Sequence, residues 1–167
     1  MVAHALFSDA AAAVVLQPGG RGLELVDVVA LTDASTSDHM TWDITDLGFK
    51  MGLSARVPDV LALHVRDVVD RLLATHGIAR ESVAGWAVHP GGPRILDVVE
   101  DRLDLPADAM DASRATLRDY GNCSSATVLL VLDRILQQGI DPGQHVVAMA
   151  FGPGLTLYAA LFRVAGH

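Results

Sequence analysis

The sequence has a single cysteine, Cys123, and a lone thiol can form no internal disulfide. Its seven histidines fall into no Cys/His spacing of a zinc site, so no structural metal is expected. Basic residues are in the minority: 12 Lys and Arg stand against 20 Asp and Glu, for a net charge of -8. A nucleic-acid surface needs a clustered positive field, so nucleic-acid binding by bulk charge is excluded. No apolar run reaches the length of about 18 residues that a membrane-crossing helix needs. The opening Met1–Phe7 also lacks a positive stretch followed by an apolar one, so a cytoplasmic chain with no membrane contact is expected. With no internal repeat, low-complexity tract or long linker, residues 1–167 read as one domain.

Apolar side chains are abundant. The hydrophobic share is 51% and the mean hydropathy +0.36, whereas average usage is about 45–50% even with glycine counted as apolar. A docking face for another domain or subunit is therefore expected.

The patterning divides the chain. Ala3–Leu16 is apolar but broken at Ser8-Asp9, which predicts a strand, a kink and a second strand or buried stretch. Leu23–Leu31 reads as a strand, and Thr41–Thr45 as a short one inside a turn-rich segment from Thr32 to Gly52. Leu61, Val65, Val68, Val69 and Leu72 fall at helical spacing, with Pro58 suited to the first turn and Gly77 to a stop. Val83–Val88 suits a buried strand, and Ile95, Val99 and Leu103 mark the helix that follows. Ala112–Asp119 and Ser124–Gln138 read as helices, and Val146–Phe151 with Leu155–Val164 as a hairpin. Strands and helices alternate between terminal hairpins, which predicts an α/β layered domain with a mixed sheet and packed helices. The strands Ala84–Val88 and Val146–Phe151 are expected at the centre of that sheet.

Three interruptions carry candidate chemistry. His89 follows the apolar strand at its carboxyl end, where active-site groups of open α/β sheets collect. Gly91 and Gly92 allow close backbone approach, and a helix N-terminus follows near Pro93. Read alone, His89 is also compatible with a hydrogen-bonded structural histidine at a turn. Asn122 lies between two helices, with Gly121 before it and Ser124 and Ser125 after it. It reads either as a helix cap or as a hydrogen-bond donor to developing negative charge. Gly152-Pro153-Gly154 alone is compatible with a tight turn. Cys123 at a probable helix start reads either as an activated thiol or as a buried spectator.

Taken together, the phrases Trp86–Asp97, Tyr120–Ala126 and Phe151–Thr156 resemble, in order and spacing, the C-terminal half of type III polyketide synthases of the chalcone and stilbene synthase kind. The His89-Pro90-Gly91-Gly92-Pro93 run is the most specific of them. Ala5–Ala13 is similar to the family's Leu-Phe-Gly-Asp-Gly-Ala segment. The resemblance implies half of a thiolase-type fold, whose site lies between two similar halves at the end of a coenzyme A tunnel. It implies that His89 and Asn122 are catalytic, bonding the malonyl thioester carbonyl while a cysteine of an N-terminal thiolase-like half holds the growing chain. It further implies that Phe7, Ser124, Gly152, Pro153 and Gly154 shape the substrate cavity, and that Arg94 contacts the coenzyme A phosphates. The substrates are acyl-CoA and malonyl-CoA, no cofactor is implied, and the expected assembly is a homodimer.

Several positions depart from the family pattern. Ser8, Ala10 and Ala150 stand where glycines are usual, and Met51 falls near a position often aromatic. Two other readings remain beside the polyketide one: a ketoacyl synthase III-like condensing enzyme, and a non-catalytic half-domain that acts as an interaction protein.

Overall fold

The computed structural model describes residues 5–19 and 21–166. Its elements are β1 (Leu23–Thr32), β2 (Met40–Thr45), β3 (Gly48–Leu53), α1 (Val57–Ala74), β4 (Val83–Val88), α2 (Pro93–Arg102), α3 (Asp111–Tyr120), α4 (Ser125–Gln137), β5 (His145–Gly152) and β6 (Thr156–Val164). Four strands form one sheet in the order β1-β6-β5-β4, while β2 and β3 pair as a separate hairpin. The pair β4–β5 is parallel, and β5–β6 and β6–β1 are antiparallel. The expected mixed sheet is present.

Period-two alternation decides which residues meet which helix. Trp86 and Val88, Val147 and Met149, and Leu157, Ala159 and Leu161 point to one side. There they join the buried stripe Leu61, Val65, Val68, Val69 and Leu72 of α1 and Leu96 and Val99 of α2. Pro58 sits in the first turn of α1, and Gly77 takes a positive φ of 63° just past its end. On the other side Ala87 and Val146 pack against Val131 and Ile135 of α4 and Ala112 of α3.

Three expectations need correction. Of the predicted Ala3–Leu16 strands, Ala3 and His4 lie outside the described residues. Residues 8–17 form no strand, and Val14, Val15 and Leu16 are exposed. Apolar content makes a strand only where another backbone accepts its hydrogen bonds, and after Ser8, whose N–H donates to the Asn122 carbonyl, residues 9–17 bond to no other backbone among the described residues. The strand Ala84–Val88 is at the edge of the sheet, because β5 and β6 hold the centre. The polar stretch before α1 contains the additional strand β3, whose residues Phe49, Met51 and Lys50 pair with Ile44, Trp42 and Asp43.

Candidate active site

The carboxyl end of β4, the Gly121–Ser125 loop and the β5–β6 turn surround one cavity of about 570 Å³. Drug-sized ligands occupy cavities of about 300–1,000 Å³. His89, Asn122, Ser124, Phe7, Arg94, Gly152 and Pro153 all line it. Gly154 does not; a side chain there would run into Thr156 Oγ1 at 2.8 Å, and its φ is 130°.

His89 is held by its backbone: its N–H donates to the Met149 carbonyl at 2.8 Å, and its own carbonyl accepts from Gly91 at 3.0 Å. Burial pushes its imidazole down from 6.5 to about 4, since a cation there would lose hydration without a partner. At pH 7 the ring is therefore neutral and offers one N–H. A Cβ at Gly91 or Gly92 would meet nothing closer than 3.7 Å. The bare backbone is not demanded by internal packing; a side chain there would take up cavity space instead.

Asn122 is buried, and its backbone is fully engaged. Its N–H donates to Leu6 O at 2.8 Å and its carbonyl accepts from Ser8 N–H at 3.0 Å, which makes a parallel bridge to Phe7. That bridge puts the Phe7 side chain on the cavity wall. Gly121 makes it achievable: with φ at 74°, a Cβ there would stand 2.9 Å from Ser8 Oγ and 3.1 Å from Leu6 O. In the side chain, Oδ1 accepts from the Ser124 N–H at 2.9 Å. A backbone N–H can only donate, so it fixes the amide orientation and leaves Nδ2 as the side-chain donor of a residue that lines the cavity. Ser124 achieves this with φ 56° and ψ -132°, a conformation costing a non-glycine residue about 1–3 kcal/mol. The cap-like bond and the free donor thus coexist in one residue.

Arg94 is exposed at the rim, where it pairs with Asp59 at 2.6 Å. Cys123 is buried outside the cavity lining, with Sγ 3.4 Å from the Tyr120 carbonyl and 3.2 Å from Ser8 Oγ. The segment 32–57, part of which the family resemblance places at the cavity, supplies an apolar wall of which sequence reasoning named only Met51. Met40, Trp42, Met51 and Leu53 of the β2–β3 hairpin line the cavity together with Phe151 and Tyr158. Pairing Met40 with Leu53, Trp42 with Met51 and Ile44 with Phe49 puts six apolar side chains on one hairpin face. The alternation of Thr41, Asp43 and Thr45 with Met40, Trp42 and Ile44 was the available signal.

Residues 27–165 match the family model described as chalcone and stilbene synthases, C-terminal domain. The chain belongs to this family. Among curated relatives of this chalcone and stilbene synthase domain, a 1,3,6,8-tetrahydroxynaphthalene synthase of Streptomyces peucetius subsp. caesius is 38% identical over 98% of the chain and 45% of its own length. A 3,5-dihydroxyphenylacetyl-CoA synthase of Amycolatopsis balhimycina is 34% identical over 97% of the chain and 45% of its own length. The crystal structure of PKS-I from the brown alga Ectocarpus siliculosus superposes with a TM-score of 0.80 at 32% identity, covering 88% of the chain and 41% of that protein. The type III polyketide synthase domain of Steely1, a type I/III hybrid from Dictyostelium, gives 0.78 at 25% identity over 87% of the chain and 41% of that domain. The domain is a thiolase-type α/β half, and it spans about 45% of the curated relatives it matches.

Proposed function

We propose that the chain is the C-terminal domain of an acyltransferase that condenses an acyl-CoA starter with malonyl-CoA, and that His89 and Asn122 are its oxyanion donors. The observation that carries this is their shared cavity: a neutral imidazole and an amide whose oxygen is already occupied both line it. When carbon dioxide leaves a malonyl thioester, its bonding electron pair passes to the α-carbon and on to the thioester oxygen as an enolate. Two fixed N–H donors aimed at that oxygen stabilise the charge, and neither has to give up its proton. The enolate carbon then attacks an acyl thioester, the C–S bond breaks and thiolate leaves. The same pair holds the oxyanion formed on the way.

The thiolate belongs to a cysteine of an N-terminal thiolase-like half, because Cys123 is buried away from the cavity. Phe7 and the hairpin wall keep water from the reacting carboxylate. Arg94, with guanidinium donors beyond the one that holds Asp59, contacts the coenzyme A phosphates from the rim. The products after which the relatives are named support malonyl-CoA as the extender. Hydroxyls at the 1,3,6,8 and 3,5 positions lie on alternate carbons, as head-to-tail joining of two-carbon units leaves them. The working enzyme is a homodimer of two-half subunits.

In the full-length enzyme, His89→Ala and Asn122→Ala are each expected to lower kcat at least about a hundredfold, the scale for losing one oxyanion donor. Full turnover by either variant at unchanged folding would refute the assignment. Purified 1–167 alone is expected to form no polyketide, and condensation by it that survives Cys123→Ala would contradict the need for a second half.

A further inference from the structure

Helix α3 contributes no residue to the cavity wall, yet it is fastened to both segments that carry the two donors. In its first turn the fully buried Ser113 donates from Oγ to the carbonyl of Val88 at 2.7 Å. Val88 immediately precedes His89. The N–H of His89 turns inward to Met149, and successive residues of a strand direct their backbone groups to opposite sides. The Val88 carbonyl therefore points away from β5, past the open edge of the sheet, where no strand stands among the described residues. Ser113 Oγ supplies the donor that a further strand would have supplied.

The neighbouring Arg114 spans Asp97 at 2.8 Å and Glu100 at 2.8 Å, both on α2, the helix that begins directly after His89-Pro90-Gly91-Gly92. At its other end α3 closes with the Gly121 N–H on the Leu117 carbonyl at 2.9 Å, and the next residue is Asn122. One ten-residue helix thus links the strand end that holds His89 to the loop that holds Asn122.

We propose that Ser113 is a positioning residue that sets His89 relative to Asn122 through its bond to the Val88 carbonyl. The inference deepens the oxyanion-donor reading and rests on it. Removing the hydroxyl leaves a buried carbonyl unpaired. The strand end then relaxes by turning that carbonyl, and His89 turns with it. Small misplacements of reacting groups cost large factors in rate.

The test compares Ser113→Ala with Thr116→Val in the full-length enzyme. Thr116 is a matched control, because its hydroxyl is equally buried on the same helix but bonds only to Ala112 O within it. Ser113→Ala is expected to lower kcat about tenfold with KM unchanged and to shift the nitrogen signals of the His89 ring. Thr116→Val is expected to change neither. Ser113→Thr, which keeps the donor oxygen, is expected to restore kcat to within about twofold of the native enzyme, and it decides the matter if Ser113→Ala does not fold. Normal turnover in Ser113→Ala, equal losses in Ser113→Ala and Thr116→Val, or a tenfold loss in Ser113→Thr would overturn the inference. His89→Ala is run in parallel. If it is inactive while Ser113→Ala is normal, only the positioning role fails; if it turns over normally, the donor reading itself fails.

Discussion

The two faces of the four-stranded sheet are finished to different degrees. On one, α1 and α2 cover β4, β5 and β6 closely, β1 adds Val26, Val29 and Leu31 partly buried at the margin, and Val65, Val68, Val69, Leu72, Leu96 and Val99 have no measurable exposure. On the other, α4 covers β4 and β5 and stops. The register pairs Leu25 with Phe162, Val28 with Ala160 and Ala30 with Tyr158, so these residues continue the α4 face across β6 and β1. There Leu25, Val28 and Tyr158 remain about half exposed. Beyond Ser8, the N-terminal segment likewise leaves Val14, Val15 and Leu16 in solvent. One side of the sheet is thus finished within this chain, whereas the other leaves apolar side chains of β1 and β6 half in solvent. The chain's span of about 45% of its curated relatives leaves ample chain in such proteins to cover them, and full burial of each such side chain is worth about 1.5–3 kcal/mol.

The largest effect that separates the faces is expected from Leu72→Ala on the closed side. Its cavity costs about 2–5 kcal/mol of stability, to be read from the denaturant midpoint at unchanged slope. A cost below about 1 kcal/mol would mean that this face is not the tight one.

A second effect sits at the cavity end of β4. His89 has a folded-state pKa of about 4 against an ordinary 6.5, so the unfolded chain binds the extra proton first as pH falls. The histidine's contribution to stability is therefore unchanged above about pH 6.5, and it declines as pH falls from there towards about 4. The loss should be absent in His89→Phe when the two proteins are compared by denaturation at matched pH values. An identical decline in both would show that the ring is not desolvated.

The smallest effect on stability belongs to the open face. Val28→Ser is expected to shift unfolding by no more than about 0.5 kcal/mol, as surface changes do. It should nonetheless reduce self-association and dye binding of the 1–167 chain at micromolar concentration. Light scattering that finds the unmutated chain monomeric, with no dye-binding surface, would remove the contrast between the faces.

Much of this fold was legible in the residues, for reasons that also mark where legibility ended. The α1 stripe, the α2 spacing and the β5–β6 hairpin announce themselves because each buries a face within this chain, so its period is written locally. Val14-Val15-Leu16 misled because a strand is a property of two backbones, and sequence shows one. Ala84–Val88 looked central because its run is apolar, and Gly85–Val88 are indeed buried, yet its outer neighbour is a helix and its edge carbonyl is met by Ser113. At the site, His89 and Asn122 were readable from their phrases. The dual use of the Asn122 amide was not, since it depends on the Ser124 backbone at φ 56°. The hairpin wall was legible only in part: Thr41–Thr45 alternates as a strand and the resemblance puts some of segment 32–57 at the cavity, but the pairing that sets Trp42 against Met51 needs the second strand, which a polar segment signals weakly.

The central claim is that His89 and Asn122 meet one oxygen. A crystal structure of the full-length enzyme with a non-reactive malonyl-CoA analogue measures this directly. The thioester oxygen is expected within about 3.2 Å of both a His89 ring nitrogen and Asn122 Nδ2, the outer range of N–H···O bonds. A thioester oxygen bound elsewhere in the cavity, with Asn122 Nδ2 turned to protein alone, would contradict it.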